Sequence, residues 1–186
     1  MQSSNYPSSK IKKWAKKSKV VDVIGFGSRF RSSQRSNDLD LCIVFPDDQE
    51  KVILDIVASL KSVLDEKNAH ISSISQSDFI LGKQTLVSTL MTEGISMISG
   101  EPVSERFGLK AKSLFQYSLQ GFTASNRVRF HYAMRGRNGL KGVLVEYHAD
   151  ILGDGVLSVE TKFEDRIKEI LDQWAVKYSI KRILSS

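Results

Sequence analysis

IGFGSRFRSSQRSNDLDLCIVF, residues 24–45, decides the fold. Together with the residues just before it, it opens on VVDVIGF (20–26), a β-branched, apolar run that reads as a buried strand. Gly27-Ser28 breaks that run, and a loop or short helix is expected next. LDLCIVF, 39–45, reads as a second strand, acidic at its start and apolar beyond. Strand alternation puts Asp38 and Asp40 on the same face. Two neighbouring carboxylates repel unless a cation neutralises them. Mg²⁺ suits such a pair, because it takes one or two carboxylates together with phosphate oxygens. Gly27 permits close approach of backbone to a phosphate, Ser28 adds a hydroxyl, and amides at a helix start add donors for an anion. The residues predict a triphosphate cradle facing a metal-binding carboxylate pair. Arg29, Arg31 and Arg35 are candidates to neutralise phosphate charge, since a guanidinium makes forked bonds to phosphate oxygens; a solvated basic loop is the plain alternative.

Outward from this segment, strands and helices alternate. SKIKKWAKKS, 9–18, predicts a short basic helix with Ile11 and Trp14 on one face, behind a polar stretch at 1–8. Pro46-Asp47-Asp48 predicts a turn that caps a helix over about 48–66, with Val52, Ile53, Ile56, Val57, Leu60 and Leu64 on one face. AHISSIS, 69–75, predicts a third, weaker strand; a helix over 84–92 and a short strand over 95–98 follow. Beyond Pro102 the character changes. LFQYSLQGF (114–122) alternates like a strand, and Thr123 or Ser125 caps a helix over 126–135. A basic loop then holds Gly136, Gly139 and Gly142. GVLSVE (155–160) predicts a strand, 162–174 a helix with Phe163, Ile167, Ile170, Leu171 and Trp174 on one face, and AVKYSIKRIL (175–184) a last strand. The expected fold class is α/β (α+β). A small mixed sheet with flanking helices covers 20–104, a basic arm or helix precedes it over 1–19, and a smaller α+β unit follows over 105–186.

The chain has 186 residues, 41% apolar and 26% charged, which are the numbers of a chain that buries a core. No apolar run is long enough for a transmembrane helix, so no membrane partner is expected. No long apolar segment near the start reads as a secretory signal, and cytoplasm is the expected location. The single cysteine, Cys42, excludes an intrachain disulfide and cysteine-rich zinc modules, and reads as a small core residue. The net charge of +6 is segregated. Residues 1–20 carry six lysines and no acid; 21–105 are net acidic; 106–142 carry eight basic residues and no acid. Such segregation points to a polyanionic partner. Arg127, Arg129, Arg135, Arg137 and Lys141, interleaved with Phe130 and Tyr132, are candidates for nucleic-acid or acceptor binding; helix-core packing of Val128, Tyr132 and Met134 is the alternative. His70, His131 and His148 are too scattered for a metal triad; His70 could face the site, but it reads first as a structural histidine. Asp22 receives no role.

The 24–45 segment resembles the nucleotidyltransferase superfamily of DNA polymerase β. That superfamily places Gly-Ser after the first strand and Asp-x-Asp about ten residues later on the second. Here Gly27-Ser28 is followed, after nine residues, by Asp38-Leu39-Asp40. LMTEGISMISG, 90–100, is similar to the minimal, MNT-type members, and residues 106–186 look like an extension on some archaeal relatives. The resemblance implies that Asp38 and Asp40 bind Mg²⁺ (or Mn²⁺) and are catalytic. It implies that Gly27, Ser28, Arg29 and Arg31 bind ATP or another nucleoside triphosphate. NMP, chiefly AMP, would pass to a hydroxyl on RNA, tRNA included, or on a partner protein; MNT-type relatives adenylylate partner toxins. One departure stands out. Active members place a third carboxylate on the third strand, whereas AHISSIS has none. Ser72 or Ser73 is expected at that place, and Asp78, the nearest acid, is expected to cap a helix starting near Phe79. The alternative function is therefore a catalytically weakened nucleotidyltransferase-fold module that binds nucleotide or nucleic acid.

Overall fold

Short β-branched runs punctuated by glycine and proline produce a mixed α+β chain. The computed structural model describes residues 8–31, 38–64 and 68–186. The chain divides into two compact units, the first ending at Gly108 and the second running Leu109–Ser186.

The first unit holds helix α1 (Ser8–Ser18), strand β1 (Asp22–Phe26), the short helix α2 (Ser28–Arg31), β2 (Leu39–Phe45), α3 (Ile53–Leu64), β3 (Ala69–Ser75), α4 (Gln76–Leu81), α5 (Thr85–Glu93) and β4 (Ile95–Ser96). The sheet order is β3-β2-β1-β4. β1 runs antiparallel to β2 and β4, while β2 and β3 are parallel. A parallel pair needs a crossover, and α3 supplies it. Both faces of β2 are covered. Leu39, Leu41, Ile43 and Phe45 pack with Ile11, Trp14 and Ala15 of α1 and Leu60 and Leu64 of α3. Cys42 and Val44, pointing the other way, pack with Ile24, Ile74, Val87 and Leu90. Such two-sided burial is why LDLCIVF reads as a nearly continuous apolar run.

Several expectations shift in place. The basic helix expected over 9–18 forms as α1 and docks on this core: Ile11 and Trp14 are buried on one face, and Trp14 Nε1 donates to Ser59 Oγ (3.0 Å). The helix expected over 48–66 begins as a 3-10 turn, Asp47–Val52, with α3 starting only at Ile53; Val52 is exposed. Asp47 does not cap it. Its carboxylate accepts from the Ser77 amide (3.2 Å) across the end of the sheet. Of the polar 1–8 stretch, residues 1–7 lie outside the described residues, and Ser8 opens α1.

The second unit holds β5 (Lys110–Ser118), α6 (Ala124–Arg135), β6 (Gly136–Arg137), β7 (Leu140–Lys141), α7 (Val143–Glu146), β8 (Asp150–Gly153), β9 (Val156–Glu160), α8 (Glu164–Gln173) and β10 (Lys177–Ser185). Its antiparallel sheet has the order β10-β5-β9-β8. β8 is unforeseen, since DILG is too short and too mixed to signal a strand. β5 starts four residues before the expected strand, because the alternation begins in the lysine-bearing KAKS. Phe115, Phe130, Leu157, Ile167 and Leu171 form the core. Thr123 caps α6, accepting from the Asn126 amide (3.2 Å).

Among the described residues, Asp22 in the first unit and Glu164 in the second are buried carboxylates with several partners. Asp22 accepts from Arg106 Nη1 (2.6 Å), Ser96 Oγ (2.8 Å) and the Val23 amide (2.8 Å), tying β1 to β4 and to the Val103–Phe107 turn. Burial pushes its carboxyl up, against the pull of Ser96 and Arg106. Glu164, fully buried, takes both Arg182 nitrogens (2.7 Å each), Lys168 Nζ (2.7 Å) and Ser113 Oγ (2.7 Å). Burial alone would push Glu164 up, but the bonds from Arg182, Lys168 and Ser113 together hold it down at about 2. A carboxylate so depressed stabilises the fold above its unfolded value and loses that contribution as pH falls through the folded one. Thermal melts followed by circular dichroism should therefore show Glu164→Gln destabilised by on the order of 3 kcal/mol at pH 7, with the gap to the native chain closing between roughly pH 4.5 and 2.

Candidate functional site

The bend after β1 is built by omission of side chains. Gly25 lies under the ring of Phe30, and a Cβ there would stand 2.1 Å from the ring. α2 folds back over β1 for that reason, with Phe30 and Arg31 amides donating to the Gly27 carbonyl (3.1 and 3.3 Å). Gly27 has φ +81, a left-handed conformation that favours glycine. A Cβ on Gly27 would stand 2.6 Å from Asp40 Oδ2. The antiparallel register, Phe26 opposite Asp40, brings them together.

Asp38 and Asp40 flank buried Leu39; Asp38 is exposed and Asp40 half-buried. The expected carboxylate pair therefore stands at the start of β2, and its second member lies directly against the glycine bend. Ser28 is exposed at the bend and Arg29 half-buried beside it. Arg31 turns to α5, where its Nη1 pairs with Glu93 Oε1 (3.2 Å). Arg35 lies outside the described residues.

The third strand departs from expectation. The parallel register sets His70 opposite Asp40, with Ser72 one step inward, opposite Cys42. Ser72 Oγ donates to the Leu41 carbonyl (3.2 Å), and Ser73 points to the other face. Neither serine holds the place facing the aspartates. His70 does: its Nδ1 is 3.3 Å from Asp40 Oδ1, and its side chain is 72% exposed. It is a surface partner of Asp40, not a buried structural histidine. Strand pairing was the missing signal, because Ala69-His70-Ile71 alternates correctly but its register against β2 is not written in the sequence. Asp78 sits in the first turn of α4, beyond Ser75 at the opposite end of β3. Ser75 is already five residues past His70, about 16 Å along a strand, and Asp78 lies beyond it. Ser75, not Asp78, caps α4 by accepting from the Asp78 amide (3.2 Å), and Asp78 pairs with Lys83 (3.0 Å). Asp78 has no place at the bend. Cys42 is buried, which pushes its thiol up to about 11, and it acts as a core residue.

Among the described residues no group of three or more His, Cys, Asp and Glu is arranged to hold a metal ion. A two-carboxylate site completed by a ligand's phosphates needs no such trio. The close approach of Asp40 to a bend with room only for hydrogen fits that second kind of site. The bend faces solvent at Ser28 and Asp38, and a polar hollow of about 460 Å³, lined by Asp47, Glu50, Ser73, Ser75 and Asp78 among others, opens away from it, at the far ends of β2 and β3. Arg127, Arg129, Arg135, Arg137 and Lys141 all belong to α6 and the β6–β7 hairpin of the second unit. Among the described residues no helix is long and apolar enough to cross a membrane. No protein-family model, curated protein or solved structure matches the chain.

A double-mutant cycle checks the Gly27–Asp40 apposition. In urea denaturation Gly27→Ala should cost about 1–2 kcal/mol from its positive φ alone, and more from the clash. In an Asp40→Ala background only the backbone part should remain, so the two substitutions should couple.

Proposed function

We propose that the first unit is a nucleotidyltransferase-like domain that transfers a nucleoside monophosphate, chiefly AMP, from its triphosphate to an acceptor hydroxyl. The observation that carries this reading is the Gly27 bend against the Asp40 carboxylate, with Asp38 beside it. The strand arrangement supports it too: an antiparallel β1–β2 pair with the bend between, and β3 returning parallel to β2.

In this reading Gly27 lets the Asp40 carboxylate come up against the bend, and the exposed Ser28 hydroxyl beside it donates to phosphate oxygens. Asp38 and Asp40 would hold Mg²⁺ or Mn²⁺, which when bound supplies charge neutralisation to the triphosphate and to the oxygens that bond and leave. Arg29, at the edge of the bend, adds positive charge. Arg31 contributes indirectly, by fixing α2 against Glu93. The acceptor hydroxyl loses its proton to water at this open edge and its oxygen bonds to the α-phosphorus. The bond from that phosphorus to the bridging oxygen breaks, and pyrophosphate leaves with the electron pair. The protein's part is position and field, and no covalent intermediate is needed.

A second reading rests on His70. An imidazole, not a carboxylate, faces Asp40 from the third strand. General-base help is worth about 10²–10⁴-fold, so without an acid there the domain would bind nucleotide and transfer it slowly or not at all.

Incubation with α-labelled ATP and Mg²⁺ tests both readings. Asp38→Ala and Asp40→Ala should each lower label transfer by about 10²-fold or more, and equal transfer by native and variant chains overturns the assignment. His70→Asp separates the readings. It should raise transfer by about 10²-fold if the native site lacks a base, and should leave it level or lower it if the native site is competent. Failure of the native chain to bind ATP would reject both.

A further inference from the structure

The second unit treats the charges on its two long helices differently. On α8 they are paired in the usual way: Arg166 with Glu169 (2.9 Å), Lys168 with Asp165 (3.1 Å) and with Glu164 (2.7 Å). On α6 and the hairpin that follows, Arg127, Arg129, Arg135, Arg137 and Lys141 are all exposed. Residues 106–142 contain no Asp or Glu to serve them locally, and among the described residues none of the five forms an ion pair. A concentration of cations without carboxylates repels itself, and a polyanion relieves that repulsion.

Geometry adds a second feature. Phe130 and Met134 turn into the core, so the helical repeat puts Val128, Tyr132 and Arg135 on the outward stripe. Val128 is 49% and Tyr132 42% exposed, which makes an apolar, aromatic strip between arginines. Asn138 (φ 51) and Gly139 (φ 81) make the tight left-handed turn of the β6–β7 hairpin. The hairpin doubles back along the helix end, and the Arg137 guanidinium lies 4.5 Å over the centre of the Tyr132 ring. A guanidinium stacked on an aromatic ring offers a flat π surface and still bonds phosphate with its N–H edge. Phosphates need the cations and unpaired bases need the flat surface. An acidic peptide would use only the first.

We propose that α6 and the β6–β7 hairpin form a binding face for single-stranded nucleic acid, with Arg127, Arg129, Arg135 and Lys141 on its phosphates and the Tyr132–Arg137 stack against a base. This face is independent of the chemistry at the Gly27 bend, and its test uses neither nucleotide nor divalent ion.

The test is fluorescence anisotropy of labelled 20-nucleotide uridine and thymidine oligomers with the full chain in EDTA, across a salt series. Log affinity should fall with log salt at a slope of about −0.7 per phosphate contacted, so about −3 for this face. Arg127→Ala/Arg135→Ala should reduce the slope by about 1.4. Tyr132→Ala should weaken binding about tenfold or more while leaving the slope in place. Every substituted side chain is exposed, and unchanged melting temperatures would show that the fold is retained. The comparison set is Lys12→Ala/Lys13→Ala/Lys16→Ala/Lys17→Ala on α1, which should cost less than the α6 changes. A preference between the uridine and thymidine oligomers assigns RNA or DNA as the ligand. The proposal is overturned if affinity does not respond to salt, if the α6 variants bind within twofold of the native chain, or if the α1 set alone abolishes binding. It is equally overturned if a polyglutamate peptide binds and neither oligomer does.

Discussion

A single close approach governs the first unit: the backbone at Gly27 passes so near the Asp40 carboxylate that only a hydrogen fits between them. Three local conditions meet there. β1 and β2 pair with Phe26 opposite Asp40. Gly27 adopts a left-handed conformation that ends the strand and reverses the chain. Phe30 then lies flat on Gly25, closing α2 over the strand it has just left. A side chain at either glycine would force α2 outward or push the carboxylate away, and the edge would lose its shape.

The carboxylates of the chain divide by environment. Asp22 and Glu164 are buried, multiply hydrogen-bonded and matched to arginine, and they act as clamps between elements. Removing one partner of such a pair strands a charge in the interior, which is why these residues belong to stability. Asp38 and Asp40 stand instead at the start of β2, Asp38 exposed and Asp40 half-buried against the Gly27 bend. His70, strongly exposed, leans on Asp40 from the next strand. An exposed contact of this kind contributes little to folding. His70 therefore matters chiefly as the side chain that meets the Asp40 carboxylate at the edge of the sheet.

The division between the two units shows in how they handle positive charge. In the first, the α1 lysines ride on the outside of a helix whose Ile11 and Trp14 are core residues. In the second, α6 exposes nearly all of its surface, and the hairpin adds Arg137 to the same side as Tyr132. Charge segregation along the chain thus becomes two different surfaces, one a solvated helix back and the other an arginine and tyrosine face.

Much of this was legible in the residues themselves. Apolar runs, glycine breaks and cap residues located β1, β2, β3, α1 and α6, because each is dictated by neighbours a few positions away. The Gly-Ser bend and the Asp-x-Asp pair were legible for the same reason: strand alternation is a local rule. Helix starts were harder. Asp47 and Asp78 have the chemistry of caps, but Asp47 bonds to Ser77 across the end of the sheet and Asp78 yields the cap to Ser75. Which residue faces Asp40 from the third strand stayed open between His70, Ser72 and Ser73. Two residues of register separate His70 from Ser72, and that register is set by how β3 docks parallel to β2 after a whole helix of chain. The partners of Asp22 and Glu164 were equally hidden, 84 and 18 residues away. Short-range sterics and periodicity are written in the residues, so most strands, the Gly-Ser bend and the Asp-x-Asp pair could be read from them. Which side chains meet across strands could not, because pairing register and the burial of charge are fixed by packing between residues far apart in the chain.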